Sequence, residues 1–143
     1  MSQHEAVLLL GSNLGDSKKN VKMALELLQQ SDCRILIKSK FIATEAVEFA
    51  STNIFCNIAV LINTHFSPTK LLNNVKRIEV DMGRINDSAV VGHYTDRVID
   101  IDIVTFESLI FFSKKLKVPH NKHLFERAFS QELLNDLKTH AKS

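Results

Sequence analysis

Residues Val98-Ile99-Asp100-Ile101-Asp102-Ile103 set two carboxylates two positions apart inside an apolar stretch that runs on to Phe106. Side chains in a β-strand alternate between faces, so Asp100 and Asp102 must share one face. Their Cα atoms then lie about 6.6 Å apart, close enough for both carboxylates to lean on one or two divalent ions about 3.5–4 Å from each other. Without a cation the pair would repel in a poorly solvated place, so something must neutralise it. An edge strand with one face in water would carry the same pattern. The flanking loop adds Arg84 and Arg97, and the later stretch from Pro119-His120 to Arg127 adds more cationic or donor groups. Carboxylates for magnesium and arginines for phosphate are the parts that phosphoryl transfer needs.

The rest of the chain divides by its periodicities. Ala6 to Leu10 is a short apolar run stopped by Gly11-Ser12-Asn13, which predicts a buried strand ending in a turn. Asp16 or Ser17 can cap a helix over Lys18 to Gln30, where Val21, Ala24, Leu25 and Leu28 form one apolar stripe. Cys33 to Ala43 and Ile54 to Thr64 read as two neighbouring strands joined through the polar segment Glu45 to Asn53. Ser67-Pro68 opens a second helix whose stripe, Leu71, Leu72, Val75, Ile78 and Met82, runs up to Gly83. Arg84 to Asp96 is a long loop, Val98 to Phe106 a strand, Ser108 to Val118 a short extra hairpin, and Leu124 to Leu137 one or two short helices. The order β-α-β-β-α-β predicts an α+β, ferredoxin-like core, an antiparallel sheet with helices on one face.

One compact domain over 1–143 is expected, since 143 residues with 45% hydrophobic content can bury a core. Lys and Arg number 18 against 16 Asp and Glu, too even a balance for binding nucleic acid or a membrane by bulk charge. Cys33 and Cys56 form no CxxC pair and are expected as buried free thiols. The first residues show no basic leader and too short an apolar run for a signal peptide or a span, so a cytoplasmic protein is expected.

Along Ile54 to Thr64, strand parity puts Cys56, Ile58, Val60 and Ile62 on one face and Phe55, Asn57, Ala59 and Leu61 on the other. Phe55 and Asn57 therefore point together, as an aromatic plane and an amide suited to a flat heterocycle, although packing alone would also explain Phe55. Gly11-Ser12-Asn13 lacks the Gly-Lys-Ser/Thr ending of a Walker A loop. His4, His65, His93, His123 and His140 have no metal-ligand spacing and are expected at the surface. His120 differs, following Val118-Pro119 and preceding Arg127.

The strings VLLLGSNLGD, FCN, KRIEVDMGR, DRVIDIDI, VPH and ERAF, in this order over nearly the whole chain, resemble the 6-hydroxymethyl-7,8-dihydropterin pyrophosphokinases. That resemblance implies transfer of pyrophosphate from ATP to 6-hydroxymethyl-7,8-dihydropterin in folate biosynthesis, by an enzyme of ferredoxin-like fold. It assigns Asp100 and Asp102 to two Mg2+ ions bound with ATP, and Arg84 and Arg97 to the triphosphate and the charge that develops as AMP leaves. His120 and Arg127 would contact the α- and β-phosphates, Lys76 and Glu79 would lie near the nucleotide and metal shell, and Ile103 would line the adenine pocket. Phe55 and Phe129 would sandwich the pterin, with Asn57 at its polar edge, Thr44 and Val47 contacting it through backbone, and Gly11 and Asn13 shaping the pocket. Expected partners are the two small-molecule substrates, with no nucleic acid or membrane, and a monomer.

The chain departs from that pattern in places. Lys115 and Lys117 stand where a nucleotide-contacting arginine and a hydroxyl residue often sit, and lysine lacks the bidentate fork. Glu45-Ala46 replaces a common Pro-Pro, and the long loop lacks a tryptophan and an additional arginine found in some members. Two other classes share part of the pattern: another magnesium-dependent nucleotide transferase using the paired aspartates, or a ferredoxin-like binding module without turnover. The first accounts for Asp100 and Asp102 but not for Phe55, Asn57 and Phe129 together.

Overall fold

The computed structural model describes residues 2–45, 54–83, 98–112, 116–121 and 127–142. In chain order these form β1 (His4–Ser12), α1 (Ser17–Gln30), β2 (Cys33–Lys38), β3 (Ile42–Glu45), β4 (Ile54–Thr64), α2 (Pro68–Asp81), β5 (Asp100–Phe106), β6 (Phe111–Phe112), β7 (Lys117–Val118) and α3 (Ala128–Lys142). The main sheet runs β2-β4-β1-β5, with β3 also pairing β4, and its pairs are antiparallel. This is the expected ferredoxin-like α+β arrangement, and β6 pairs β7 as the expected extra hairpin.

Both central helices begin where local chemistry dictates. The Asp16 carboxylate accepts from Lys19 N at 3.2 Å to open α1, and Ser67 Oγ accepts from Lys70 N at 3.2 Å to open α2, with Pro68 in the first turn. Gly83, at φ +109, follows the end of α2 in a conformation that side-chain-bearing residues rarely adopt. The stripes Val21, Ala24, Leu25, Leu28 and Leu71, Val75, Ile78 are buried against Ala6, Leu8, Leu10, Ile58, Val60, Ile62, Ile99, Ile101 and Ile103. Burying a side chain such as Leu28 or Leu71 contributes about 1.5–3 kcal/mol.

Three expectations change. Cys33 to Ala43 is not one strand. It breaks at Ser39, whose buried hydroxyl accepts from Ala59 N at 2.9 Å and donates to Lys40 O at 2.8 Å, so β2 and β3 pair with different halves of β4. The C-terminal region contains a 15-residue helix, α3, which extends to Lys142. It does not join the other helices: its Leu133, Leu134 and Leu137 cover Leu9, Ala59 and Val104 on the opposite face, so the sheet carries helices on both faces. Cys33 is a buried free thiol as expected, but Cys56 is only partly buried.

Candidate active site

The strand registers place the candidate residues in rows. Asn57 on β4, Gly11 on β1 and Asp100 on β5 stand side by side, and the next row holds Ala59, Leu9 and Asp102. Residues opposite one another in a ladder share a face, and Leu9 and Ala59 lie in the cluster under α3. Asn57, Asp100 and Asp102 are therefore on the α3 face, with two strand spacings, about 9.5 Å, between the β4 and β5 members of a row. Phe55, two residues before Asn57, shares that face. Phe129 packs against the same cluster from the first turn of α3.

Gly11 has a steric reason to be glycine. A Cβ there would come within 2.6 Å of Asn57 Oδ1 and 3.4 Å of Phe55 Cδ1, so the amide lies across the bare backbone of β1. Asn57 is 4% exposed, and its Nδ2 donates to Ile42 O at 3.3 Å, which orients the amide. Thr44 pairs with Phe55 in the β3–β4 ladder. The turn after β1 is held by Asn20 of α1, whose Nδ2 donates to Ser12 Oγ at 3.2 Å and Leu14 O at 2.7 Å, and Asn13 within that turn is 2% exposed. Asn20 escapes a motif-based reading because its role appears only when α1 folds back on the turn.

On β5, Asp100 and Asp102 are half-buried, while Ile101 and Ile103 point into the opposite core at 3% and 4% exposure. The Ile103 side chain is thus on the face away from the carboxylates. Glu79 reaches β5 from α2: it is 1% exposed, its Oε2 accepts from Ile101 N at 2.8 Å, and its Oε1 lies 3.5 Å from Lys76 Nζ. His120 follows the cis Val118–Pro119 bond and is tied to β5 by its N–H donating to Val104 O at 2.8 Å. Arg127 is half-buried just ahead of α3, and Lys117 is exposed on β7. Arg84, Arg97, Val47, Lys115 and most of the two loops, 46–53 and 84–96, lie outside the described residues.

The carboxylate pair fits magnesium. Two hard oxygen donors sit on one half-open face, and among the described residues no group of three or more His, Cys, Asp or Glu could hold a metal alone. Magnesium usually takes one or two carboxylates and completes its shell with substrate phosphates and water.

Sheet, helices and site together define a ferredoxin-like α+β fold with a paired-carboxylate strand on the same face as a buried amide and two aromatic side chains. The family model described as 7,8-dihydro-6-hydroxymethylpterin-pyrophosphokinase (HPPK) matches residues 7–139, and the chain belongs to that family, a family of ATP-dependent pyrophosphokinases that use Mg-ATP. The 2-amino-4-hydroxy-6-hydroxymethyldihydropteridine pyrophosphokinase of Porphyromonas gingivalis is 37% identical over 131 residues, covering 91% of this chain and 88% of that protein. The mitochondrial folate synthesis bifunctional protein of Pisum sativum is 37% identical over 133 residues, 93% of this chain. This chain spans only about a quarter of the plant protein's length, 25%. A Plasmodium falciparum HPPK-DHPS crystal structure with pterin and p-hydroxybenzoate superposes with a TM-score of 0.68 at 15% identity, over 95% of this chain and 40% of that one, a likeness of fold. No described helix is long and apolar enough to cross a membrane.

Proposed function

We propose that this chain, as a single domain over 1–143, transfers the pyrophosphate of ATP to 6-hydroxymethyl-7,8-dihydropterin, giving AMP and the pterin diphosphate. The observation that carries this is the row Asn57–Gly11–Asp100 on one face of the sheet. An amide reader for a heterocycle and a carboxylate for a metal–phosphate complex stand two strands apart, so a ring held at β4 can direct its hydroxymethyl group towards β5. Phe55 and Phe129 stack on the pterin, Asn57 pairs with its donor and acceptor edge, and the backbone of Thr44 and Val47 with Gly11 and Asn13 completes the pocket.

Asp100 and Asp102 would hold two Mg2+ ions, which would supply neutralisation of the phosphate charge. Arg84, Arg97, His120 and Arg127 grip the triphosphate, and Lys76, Lys115 and Lys117 add charge around the nucleotide. The pterin hydroxyl oxygen bonds to the β-phosphorus as the α,β-bridging P–O bond breaks, AMP departs with that bond's electrons, and the hydroxyl proton passes to solvent. Positioning and charge stabilisation do most of the catalysis. We place the protein in the cytoplasm as a monomer, binding these small molecules and no nucleic acid.

Phosphorus NMR of the protein with ATP, magnesium and the pterin tests this directly, run beside Asp100→Ala. AMP and a pterin diphosphate in the wild type alone are expected. ADP would mean transfer of a single phosphoryl group, and tight pterin binding without turnover would mean a binding module.

A further inference from the structure

β5 ends the main sheet: β1 pairs with it on one side, and among the described residues no strand pairs with it on the other. A peptide N–H on such an edge needs an acceptor. At Ile101, the residue between the two aspartates, the acceptor is Glu79 Oε2 at 2.8 Å. Glu79 arrives on α2, whose Leu71, Val75 and Ile78 are buried in the core beneath the strand, so the helix cannot shift without disturbing that packing. A side chain 1% exposed could have been leucine, and placing a carboxyl group there is costly unless its hydrogen bonds are needed. Holding the Ile101 N–H fixes the peptide plane that joins Asp100 to Ile101, and with it the directions in which Asp100 and Asp102 leave the strand.

We infer that Glu79 is a positioning residue: it braces the β5 edge so that the two aspartates keep one separation and one aim. This rests on the pyrophosphokinase reading above, and it gives Glu79 a role exerted through the backbone of β5.

Two variants separate reach from charge. Glu79→Gln keeps an acceptor oxygen at the same reach and removes the charge, whereas Glu79→Asp keeps the charge and withdraws the oxygen by one methylene. Bracing predicts that Glu79→Gln stays within about threefold of wild type in kcat and half-saturating Mg2+. Glu79→Asp should lose about tenfold or more in one of them, the usual size of an effect exerted through a metal ligand's neighbours. Pterin Kd measured without nucleotide should be unchanged in both. The inference is overturned if Glu79→Gln is the worse variant, if both match wild type, or if pterin affinity falls in step with activity. Should Glu79→Asp fail to fold, a tenfold loss in Glu79→Gln alone overturns it and wild-type behaviour supports it. Hydrogen exchange at the Ile101 amide, protected in Glu79→Gln and fast in Glu79→Asp, reads the brace without turnover. A wild type that releases no AMP would sink the pyrophosphokinase reading while leaving that exchange result to stand or fall by itself.

Discussion

Gly11 shows how little room the site leaves. The methyl group of Gly11→Ala would sit 2.6 Å from Asn57 Oδ1, too close for any real Cβ, so the amide must swing away and lose its bond to Ile42 O. Loss of that buried hydrogen bond should cost about 1 kcal/mol of stability and lower the thermal midpoint by a few degrees, and with the amide turned away pterin affinity should fall about tenfold by calorimetry. Asp100→Ala removes a group from a site face and not from the core. Metal-assisted charge stabilisation is worth several kcal/mol, so turnover should drop roughly a thousandfold with the far-ultraviolet circular dichroism unchanged. The thiols should also differ. Burial pushes Cys33 up to about 11, whereas Cys56 is raised by partial burial and drawn back by the nearby Lys18 charge. A thiol reagent near neutral pH should therefore modify Cys56 slowly and Cys33 only after unfolding. Because the folded Cys33 pKa lies above the value of 9.0 for the unperturbed thiol, its contribution to stability is intact below pH 9. It should be lost as the pH rises from there through about 11.

At the scale of elements, anchoring and the proposed pterin contact separate along the length of α3. Leu133, fully buried, and Leu134 and Leu137 anchor it, with Asp136 Oδ2 accepting from Lys40 N at 2.8 Å and Glu132 3.1 Å from Lys40 Nζ. Its first turn carries half-buried Phe129. Leu133→Ala should therefore cost about 2–5 kcal/mol in urea denaturation. Phe129→Ala should cost less stability and weaken pterin binding far more than ATP binding. Equal losses of the two ligands in Phe129→Ala would instead make that ring a packing element.

For the whole molecule, the sheet separates support from chemistry. One face is sealed by α1 and α2, and α3 covers part of the other over Leu9, Ala59 and Val104. The row of Asn57, Gly11 and Asp100 comes next along the strands. The sealed side therefore fixes strand positions, and the half-covered side is where the proposed function puts the ligands. If Mg-ATP binds only the folded chain, a hundredfold excess over Kd should raise stability by about 2.7 kcal/mol. A melting scan with excess chelator should abolish that gain and leave the ligand-free midpoint unchanged.

Features set by neighbours in the chain were legible in the sequence. Ser67-Pro68 opens α2 because a hydroxyl and a fixed φ act within one turn, and the parity of β4 and the shared face of Asp100 and Asp102 follow from a period of two. The ordered motifs identified the family, which the family model bears out over residues 7–139. Distant partners decided the rest. The break between β2 and β3 depends on Ala59 and on Asp136, 96 residues from Lys40, and the edge of β5 depends on Glu79, 22 residues away. The opposite-face placement of α3 likewise needed the assembled sheet. By itself the sequence determined the periodicities, caps and motifs, since these arise from covalent neighbours. Only the tertiary structure decided which buried polar group meets which backbone amide, because a hydrogen bond between distant residues exists only once the chain has folded.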